Sequence, residues 1–326
     1  MSQNRVVHVL HDNPEWIPAF ARAFDAEGVE LREWRLGEGS LDLDASPPPG
    51  VFWSRLSASA HTRGAEGAKD AARSVLAWLE SWGSRVVNGS AVASIEVSKV
   101  VQHAHLRRAG FDVPRTIAVF DREQLPMRAR ELAVPFITKH NQGGKGLGVR
   151  RFDSHVEFDA YVAGPEFEAP ADGITLLQEY LRAAEPFVTR AEFVGGRFVY
   201  AVRVDTTAGA FELCPAEACA VPVAGVEPEP LFRVREDIAT DDPLIRRYEA
   251  LLADLGIEIA GIEFLETEDG RTVTYDINTN TNYSPDVEAS AADPAARRVA
   301  RFLTSLLDDD AGAEGAESVL SASGAR

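Results

Sequence analysis

The N-terminal part of the chain alternates apolar runs with an amphipathic segment. The runs RVVHVL and VELREW are typical of strands, and Trp16, Phe20 and Phe24 stand between them at helical spacing. After the chain-breaking PPPG, the pattern predicts a short buried strand, VFWSRLS, and a long helix over roughly 65–83. A strand–helix–strand order indicates an open α/β domain, which we place at residues 1–94.

The rest of the chain mixes strands and helices less regularly, as in α+β lobes. A helix ended by Gly110, the strands RTIAVF, PFITK and VRRF, and a glycine-rich loop make up a predicted first lobe over 95–173. A second lobe over 174–308 begins with ITLLQEYL, contains two hairpins and closes with a helix around 292–307. Residues 309–326 are rich in Ala, Gly, Ser and acidic residues, and we predict a disordered tail there. A ligand is expected in the cleft between the lobes.

The last hairpin is predicted to have an acidic face. Asp269-Gly270, between AGIEFLETE and RTVTYDINTN, is a strong signal for a two-residue turn. That turn sets a register in which Phe264 faces Tyr275, Ile262 faces Ile277, Glu263 faces Asp276 and Gly261 faces Asn278. Directly opposed carboxylates, with Cβ atoms about 5 Å apart, are destabilising unless a cation lies between them. Glu263, Asp276 and the Asn278 amide therefore indicate a Mg²⁺ site, with a solvated strand face as the alternative.

The Gly195-Gly196 turn predicts a second hairpin, which has a charged face. In the register that this turn sets, one face of the hairpin carries the polar side chains Arg190, Glu192, Arg203 and Asp205. The other face belongs to the core and carries Phe193, Phe198, Tyr200 and Val202. Arginine grips phosphate or carboxylate through two parallel hydrogen bonds, so Arg190 and Arg203 are candidate anion ligands. A solvated lattice of salt bridges with Glu192 and Asp205 is the alternative.

Composition argues against several classes of protein. The chain has 326 residues and a net charge of −18, which argues against general binding to nucleic acid or to anionic membranes. Its two cysteines, Cys214 and Cys219, lack the second ligand pair of a zinc site and are expected to be reduced structural thiols. No apolar run approaches the ~20 residues of a membrane span, so we expect a cytoplasmic protein.

Glycine and lysine mark a candidate phosphate site in KHNQGGKGLGV. The loop consists of Gly143, Gly144, Lys145, Gly146 and Gly148, with Leu147 between the last two. Such a loop can bend over phosphates and offer them N–H groups, with a plain flexible loop as the alternative. Lys139 ends an apolar strand, where its ammonium would neutralise a phosphate. Lys99, at the start of a helix, would do the same or would be an ordinary surface lysine.

A further segment, QEYL, follows the apolar ITLL. A buried strand that ends as a hinge between lobes can offer backbone donors and acceptors to an adenine edge. The residues of this segment are Gln178, Glu179, Tyr180 and Leu181. By composition alone it is an ordinary strand end.

Taken in order, these features resemble the ATP-grasp superfamily, in particular its glutathione-synthetase and RimK-type glutamate-ligase branch. The resemblance extends over roughly residues 50–305. It implies an N-terminal α/β domain followed by two α+β lobes that hold ATP and one or two Mg²⁺ ions between them, with Mn²⁺ as an alternative ion.

The resemblance also implies roles for individual residues. The nucleotide ligands would be Lys99, Lys139, Gly143 to Gly148 and Gln178 to Leu181. The metal ligands would be Glu263, Asp276 and Asn278. The catalytic arginines would be Arg55, Arg190 and Arg203. Residues expected to face the substrate are Arg55, Ser57, His61, Arg63, Asn280 and Asn282.

Two positions depart from the family pattern. Val188 stands where an Asp is expected two residues before Arg190, so the resemblance does not carry a ribose or substrate contact to that position. TNTNYSPD replaces the S-P-G that often follows the metal-binding Asn, so glutamate is not carried over as the added amino acid.

The activity implied is that of a carboxylate–amine ligase, which activates a carboxylate as an acyl phosphate, releases ADP and then forms an amide. The carboxylate would belong to a small molecule or a peptide, and the amine to an amino acid or another amine. Two alternatives stay open, a kinase-like phosphotransferase of the same fold and a nucleotide-binding scaffold without turnover. Related ligases are often dimers or tetramers, so a homo-oligomer is left open too.

Overall fold

Three β-sheets organise the part of the chain that the computed structural model describes, residues 5–144, 146, 148–206 and 231–308. Lys145, the Cys214/Cys219 segment and the predicted tail lie outside these residues. None of the helices in the described ranges combines the length and the apolar character needed to cross a membrane.

The N-terminal domain is a parallel sheet between two helices. Its elements are β1 Val6–His11, α1 Ile17–Ala26, β2 Glu30–Arg35, β3 Val51–Arg55, α2 Ala68–Ser81 and β4 Val86–Val87. The strand order is β2-β1-β3-β4, and β1 and β3 are buried along their whole length. Phe20 and Phe24 of α1 pack on one face of these strands, and Leu76 and Leu79 of α2 pack on the other. The predicted open α/β arrangement of this region is confirmed.

Two short helices connect this domain to the lobes, α3 Ser90–Glu96 and α4 Lys99–Arg108. The sequence suggested one helix ending at Gly110. The chain forms two because the Ser98 side chain accepts a hydrogen bond from the N–H of Val101 and so caps a new helix that begins at Lys99.

The first lobe is an antiparallel sheet covered by two helices. Its elements are β5 Thr116–Val119, α5 Leu125–Ala129, β6 Phe136–His140, β7 Arg150–Phe152, α6 His155–Ala163 and β8 Thr175–Glu179. The strand order is β5-β8-β6-β7. Phe136, Phe152 and Phe158 form its core, together with Leu177 of β8.

The second lobe is built on a five-stranded antiparallel sheet. Its elements are β9 Phe187–Val194, β10 Arg197–Asp205, β11 Phe232–Val234, α7 Pro243–Leu255, β12 Ile259–Glu266, β13 Thr272–Asn278, α8 Pro285–Ser290 and a last helix, α9, over 295–308. The strand order is β11-β10-β9-β12-β13. Helices α3, α4 and α7 pack on one face, and α9 and the N-terminal domain pack on part of the other.

Sheet membership differs from the predicted division of the chain in two places. β8 belongs to the sheet of the first lobe, although the predicted boundary placed it in the second. Leu106 of α4, assigned to the first lobe, lies in the core of the second. The domain boundaries themselves stay a prediction.

β-Bulges shift part of both predicted hairpin registers. β12 and β13 pair as predicted at Glu263–Asp276, but Phe264 pairs with Thr274 rather than with Tyr275. The loop between these strands is also longer than the predicted two residues, since they end at Glu266 and Thr272. These two departures offset each other, which is why the register at the acidic pair agrees with the prediction.

The bulge in the other hairpin has a larger consequence for the candidate site. Phe198 faces Phe193 as predicted, but beyond Val199 the pairing moves by one residue, so that Arg203 faces Thr189. Successive residues of a strand, such as Thr189 and Arg190, lie on opposite faces. The predicted shared face of Arg190 and Arg203 is therefore wrong.

Candidate active site

A cleft of about 780 Å³ lies between the sheets of the two lobes. Residues of both lobes and Lys99 line it, among them Lys99, Lys139, Gly143, Gly144, Gly146, Gln178 to Leu181, Glu263, Asp276 and Asn278. Cavities of this size hold ligands as large as drug molecules or cofactors. The structure thus brings together most of the residues predicted to hold phosphate, adenine and metal.

Two carboxylates face each other on the second lobe. Glu263 is 4% exposed and lies directly opposite Asp276 in the ladder. Its Oε1 accepts a hydrogen bond from Asn278 Nδ2 at 3.1 Å. Burial, and after it the charge of Asp276, raise the pKa of Glu263. A cation between the two carboxylates would relieve both effects.

Lys99 lies against this acidic pair from the start of α4. Its Nζ is 2.5 Å from Asp276 Oδ1. Burial alone would lower the pKa of Lys99, but the charges of Asp276 and Glu263 raise it above its ordinary value. The ammonium is therefore charged and anchored at the floor of the cleft.

Lys139 lies on the opposite wall, at the end of β6. It is 7% exposed, and its Nζ is 5.8 Å from the centroid of the Tyr275 ring. Burial, and then repulsion by Lys99, lower the pKa of Lys139 to about 8. Near neutral pH this side chain is still mostly an ammonium, and a nearby phosphate would favour the charged form further.

Asn141 fixes the two lysines relative to each other. Its Oδ1 accepts hydrogen bonds from the Val100 N–H at 2.9 Å and from Ser98 Oγ at 3.2 Å. Its carbonyl oxygen accepts a hydrogen bond from the N–H of Lys99 at 3.2 Å. Because Asn141 follows Lys139 by two residues, the wall formed by β6 is tied to the helix that carries Lys99.

The donor set of the acidic pair fits a magnesium ion that takes its remaining ligands from phosphates and water. In the described ranges, no cluster of three or more His, Cys, Asp or Glu side chains is suited to holding a metal on its own. Two carboxylates and the Asn278 amide offer a few hard oxygen ligands, and Mg²⁺ usually binds proteins through one or two carboxylates. The residues predicted as metal ligands are therefore compatible with this ion.

The glycine-rich loop contacts the N-terminal domain as well as the cleft. A Cβ on Gly144 would approach Ser59 Oγ to 3.2 Å. Gly148 has a φ of +74°, and a Cβ there would come within 3.0 Å of the His140 ring. Side chains are therefore disfavoured at both positions, and the loop backbone can lie close to its neighbours.

The predicted adenine segment passes from one lobe to the other. Gln178 to Leu181 end β8 and line the cleft. The Arg151 guanidinium lies 4.6 Å from the centroid of the Tyr180 ring. Beyond the segment, the N–H of Ala184 donates to the carbonyl oxygen of Glu266 in the second lobe. The segment therefore connects the two lobes and forms one side of the cavity.

The two candidate arginines of the second lobe lie on opposite faces of its sheet. Arg190 pairs with Glu263 in the ladder and so shares the face of the acidic pair, and its Nε is 2.6 Å from Glu192 Oε1. Arg203 instead lies 4.2 Å from the ring centroid of Phe187, on the other face. The bulge at β10 is the cause, and a catalytic role for Arg203 finds no support in this geometry.

Arg55 does not face the substrate side of the cleft as expected. It is fully buried, with Nε donating to Asn280 Oδ1 at 3.0 Å and Nη2 donating to Asn282 Oδ1 at 2.7 Å. Its guanidinium lies 4.4 Å from the centroid of the Phe20 ring, and burial lowers its pKa to about 10. Arg55 therefore joins the N-terminal sheet to the segment that follows β13, and the two asparagine oxygens predicted to face substrate have this arginine as their partner.

The remaining predicted substrate residues lie beside the glycine-rich loop. Ser57 Oγ is 2.9 Å from Ser59 Oγ, and Arg63 Nη2 is 2.5 Å from the buried carboxylate of Asp12. His61 Nδ1 is 3.2 Å from the ammonium of Lys69. Burial, and then the charge of Lys69, lower the pKa of His61. A substrate role for these side chains stays a prediction.

Glu96 was missed from the sequence, and Glu192 was considered only as a salt-bridge partner on a solvated face, but both carboxyls are buried. Glu96 accepts hydrogen bonds from the Thr279 N–H at 2.7 Å and from Thr279 Oγ1 at 2.8 Å, and Glu192 accepts one from Thr281 Oγ1 at 2.8 Å. Burial raises the pKa of both carboxyls. The threonines that alternate with the asparagines were the available signal, but their partners lie far away in the chain.

Gln102 was also missed, and it seals the edge of β13. Its Nε2 donates to the carbonyl oxygen of Ile277 at 2.9 Å, and its Oε1 accepts from the N–H of Ile277 at 3.1 Å. A side-chain amide thereby takes the place of a neighbouring strand beside the acidic pair.

No family model and no curated protein matches this chain, but solved structures do. A RimK-domain ATP-grasp protein from Sphaerobacter thermophilus is 20% identical with a TM-score of 0.63, over 91% of this chain and 99% of that one. The ATP-grasp ligase PsnB, in complex with a minimal precursor, Mg and ADP, is 16% identical with a TM-score of 0.64, over 94% and 98%. D-cycloserine synthetase DcsG is 18% identical with a TM-score of 0.63, over 93% and 99%. The chain therefore has the ATP-grasp fold, as its resemblance to the RimK-like branch predicted.

Proposed function

We propose that this protein is an ATP-dependent carboxylate–amine ligase. The observation that carries the proposal is the set of side chains that line one cleft. Lys139 and the glycine-rich loop line it from the first lobe, and Glu263 and Asp276 line it from the second, with Lys99 between the acids and the lysine. This arrangement suits a polyphosphate with its metal, and the described residues offer no nucleophile–base pair there that would suggest covalent catalysis by the protein.

The proposed reaction has two steps. A carboxylate oxygen of the substrate attacks the γ-phosphorus of ATP, the bond to the bridging oxygen breaks, and ADP leaves. The amine then attacks the acyl carbon, loses a proton and displaces inorganic phosphate, which leaves an amide. Such chemistry depends mainly on positioning and on neutralising charge.

The chain's own side chains supply that positioning. Lys139 and Lys99 lie on two sides of the cleft and would bind phosphate oxygens from both. Arg190, on the face of the acidic pair, is held by Glu192 and by the carbonyl oxygen of Asn282 at 2.9 Å, and its guanidinium would stabilise the charge that develops on the transferred phosphoryl group. When bound by Glu263 and Asp276, Mg²⁺ would neutralise the negative charge of the phosphates.

The glycine-rich loop would exclude water from the acyl phosphate. Its contact with Ser59 connects it to the N-terminal domain, and Gln142 just before it accepts a hydrogen bond from Lys69. A loop held in this way against the N-terminal domain would shield an intermediate that water would otherwise hydrolyse.

The substrates are proposed by class only. PsnB was crystallised with a precursor, and DcsG is a D-cycloserine synthetase, so the same fold serves both a precursor and a small molecule. We therefore propose either a peptide or a small-molecule carboxylate, joined to an amino acid or another amine.

An isotope experiment tests the reaction directly. Carboxylate candidates labelled with ¹⁸O are incubated with ATP, Mg²⁺ and an amine library, and products are followed by mass spectrometry. We expect an amide, ADP, and inorganic phosphate that carries one ¹⁸O from the carboxylate. A stable phosphorylated product formed without amine would contradict the ligase and support a kinase-like enzyme, while nucleotide binding without any ADP release would support a scaffold.

A further inference from the structure

Two threonines beyond β13 hold two buried carboxylates in the same way. Thr279 and Thr281 are each 4% exposed, and they alternate with the asparagines of the segment. Thr279 Oγ1 donates a hydrogen bond to Glu96 Oε2 at 2.8 Å, and Thr281 Oγ1 donates one to Glu192 Oε2 at 2.8 Å. The contacts of the two hydroxyls are equivalent, so any difference in role comes from what each carboxylate binds in turn.

The two carboxylates differ in their other partners. Glu96 accepts hydrogen bonds from the backbone N–H groups of Ala58 and Thr279. Glu192 is fully buried, and its Oε1 instead accepts a hydrogen bond from Arg190 Nε at 2.6 Å. A hydrogen bond between two charged groups is stronger than a neutral one and more specific in its geometry. The carboxylate that Thr281 holds therefore holds the candidate arginine of the second lobe.

The same segment binds the Arg190 guanidinium a second time. Its Nη2 donates to the carbonyl oxygen of Asn282 at 2.9 Å, and Asn282 directly follows Thr281. Two successive residues thus fix the guanidinium, one through Glu192 and the other through its own backbone. In the part of the chain that the structure describes, Nη1 of Arg190 has no hydrogen-bond partner, and the side chain is 16% exposed. This nitrogen remains available to a ligand.

Gly261 provides the space for this arrangement. It pairs with Glu192 between β12 and β9. A Cβ on this glycine would lie 2.9 Å from Glu192 Oε2, 3.1 Å from Arg190 Cδ and 3.2 Å from Thr281 Oγ1. All three side chains therefore pack against one position that has no side chain of its own, and even an alanine there would displace the buried carboxylate.

We propose that Thr281 and Glu192 are positioning residues of Arg190, an inference that rests on the proposed function, in which Arg190 stabilises the transferred phosphoryl group. The Thr281 hydroxyl orients the carboxylate of Glu192, and this carboxylate orients the guanidinium. With Nε and Nη2 occupied by protein acceptors, Nη1 is the nitrogen left to bind the phosphoryl oxygens. A guanidinium held in advance does not have to reorganise when charge develops on that group.

Thr281→Val tests this role, because it removes the hydroxyl and keeps the shape of the side chain. The probe is ADP with aluminium fluoride and Mg²⁺, which mimics a phosphoryl group in transfer, and calorimetry compares it with ADP and Mg²⁺ alone. We expect the affinity for the mimic to fall about 10-fold, the effect of weakening one hydrogen bond to a charged group. The affinity for ADP should stay unchanged, and Thr281→Ser, which keeps a hydroxyl, should bind the mimic as the wild type does.

Thr279→Val is the matched control, because it removes the same kind of hydrogen bond to a buried carboxylate two residues earlier. It should lower the unfolding midpoint, as Thr281→Val does, and leave the affinity for the mimic at the wild-type value. Unchanged affinity for the mimic in Thr281→Val would overturn the proposal, as would an equal loss for ADP or an equal loss in the control.

A measurement without nucleotide separates this inference from the proposed function. In ¹⁵N NMR spectra, the Nε–H signal of Arg190, assigned by its absence in Arg190→Lys, should shift in Thr281→Val and in Glu192→Gln but not in Thr279→Val. A signal that stays in place in the first two variants contradicts the positioning role. A wild-type protein that does not bind the mimic contradicts the proposed phosphoryl transfer instead.

Discussion

The two halves of the segment from Asp276 to Asn282 carry the same alternation of polar side chains but have different partners. Asp276 and Asn278 lie on the sheet and line the cleft, where Lys99 and Glu263 surround them. Asn280 and Asn282 lie beyond the end of β13, and their side-chain oxygens accept hydrogen bonds from the buried Arg55.

One sequence pattern thus lines a cleft in its first half and makes a domain contact in its second. In the first half the polar face is opposed by like charge, so it needs a cation. In the second half it is opposed by a buried guanidinium, which needs acceptors because an unpaired buried charge is costly. The strand end at Asn278 is where one role changes to the other.

The largest effect should come from a substitution in the first half of the segment, which lines the cleft. Asp276→Asn keeps the size of the side chain but removes one charge of the pair, so we expect ATP turnover to fall on the order of 10³-fold, since metal-based charge stabilisation is worth several kcal/mol. Asp269→Asn, in the exposed loop of the same hairpin, is the control and should leave turnover near the wild-type rate. Steady-state ADP release measures both. Wild-type turnover in Asp276→Asn would show that the cleft half is not the metal site.

A substitution in the second half of the segment should have a smaller effect, and that effect should be on stability rather than on turnover. Asn282→Ala removes an acceptor of the buried Arg55, so the free energy of unfolding should fall by about 1–3 kcal/mol while nucleotide affinity stays unchanged. Urea denaturation measures the first quantity and calorimetry the second.

A double-mutant cycle with Arg55→Met isolates this contact. The loss of stability in Asn282→Ala should shrink when Arg55 is already absent. If stability is unchanged and substrate use falls instead, Asn282 is a substrate contact, and the division of the segment proposed here is wrong.

The smallest effect concerns the pH dependence of nucleotide binding in the cleft that the first half of the segment lines. Lys139 binds phosphate when protonated, and its pKa is about 8, so nucleotide affinity should fall several-fold as the pH rises through that value. Lys139→Arg should keep its affinity over the same range, because guanidinium stays protonated. Titrations with the ATP analogue on both sides of pH 8 measure this. An equal decline in both proteins would assign the pH dependence to another group.

Much of the fold was predictable because it follows from local pattern. Helical spacing at Trp16, Phe20 and Phe24 marked the first helix, and the pairs Gly195-Gly196 and Asp269-Gly270 marked the two hairpins. The acidic pair was found because Glu263 and Asp276 lie only a short hairpin apart, so that a turn and a ladder suffice to bring them together.

The bulges were not predictable from the same pattern. Nothing in the alternation around Val199 or Tyr275 distinguishes a regular strand from one with an extra residue, since packing on both faces of the finished sheet decides it. One bulge removed Arg203 from the face of Arg190, and the other brought Tyr275 into the cleft.

The sequence by itself determined the strand–helix–strand order of the N-terminal domain, the acidic pair, the lysine-tipped strand and the glycine-rich loop, because each rests on neighbours in the chain or on one hairpin. Only the tertiary structure decided that Arg55 is buried against Asn280 and Asn282, and that Glu96 and Glu192 hold the segment between them. Those partners lie far apart in the chain, from 89 residues for Glu192 and Thr281 to 227 for Arg55 and Asn282, and a buried polar group takes whichever partner the packed fold brings within hydrogen-bonding distance.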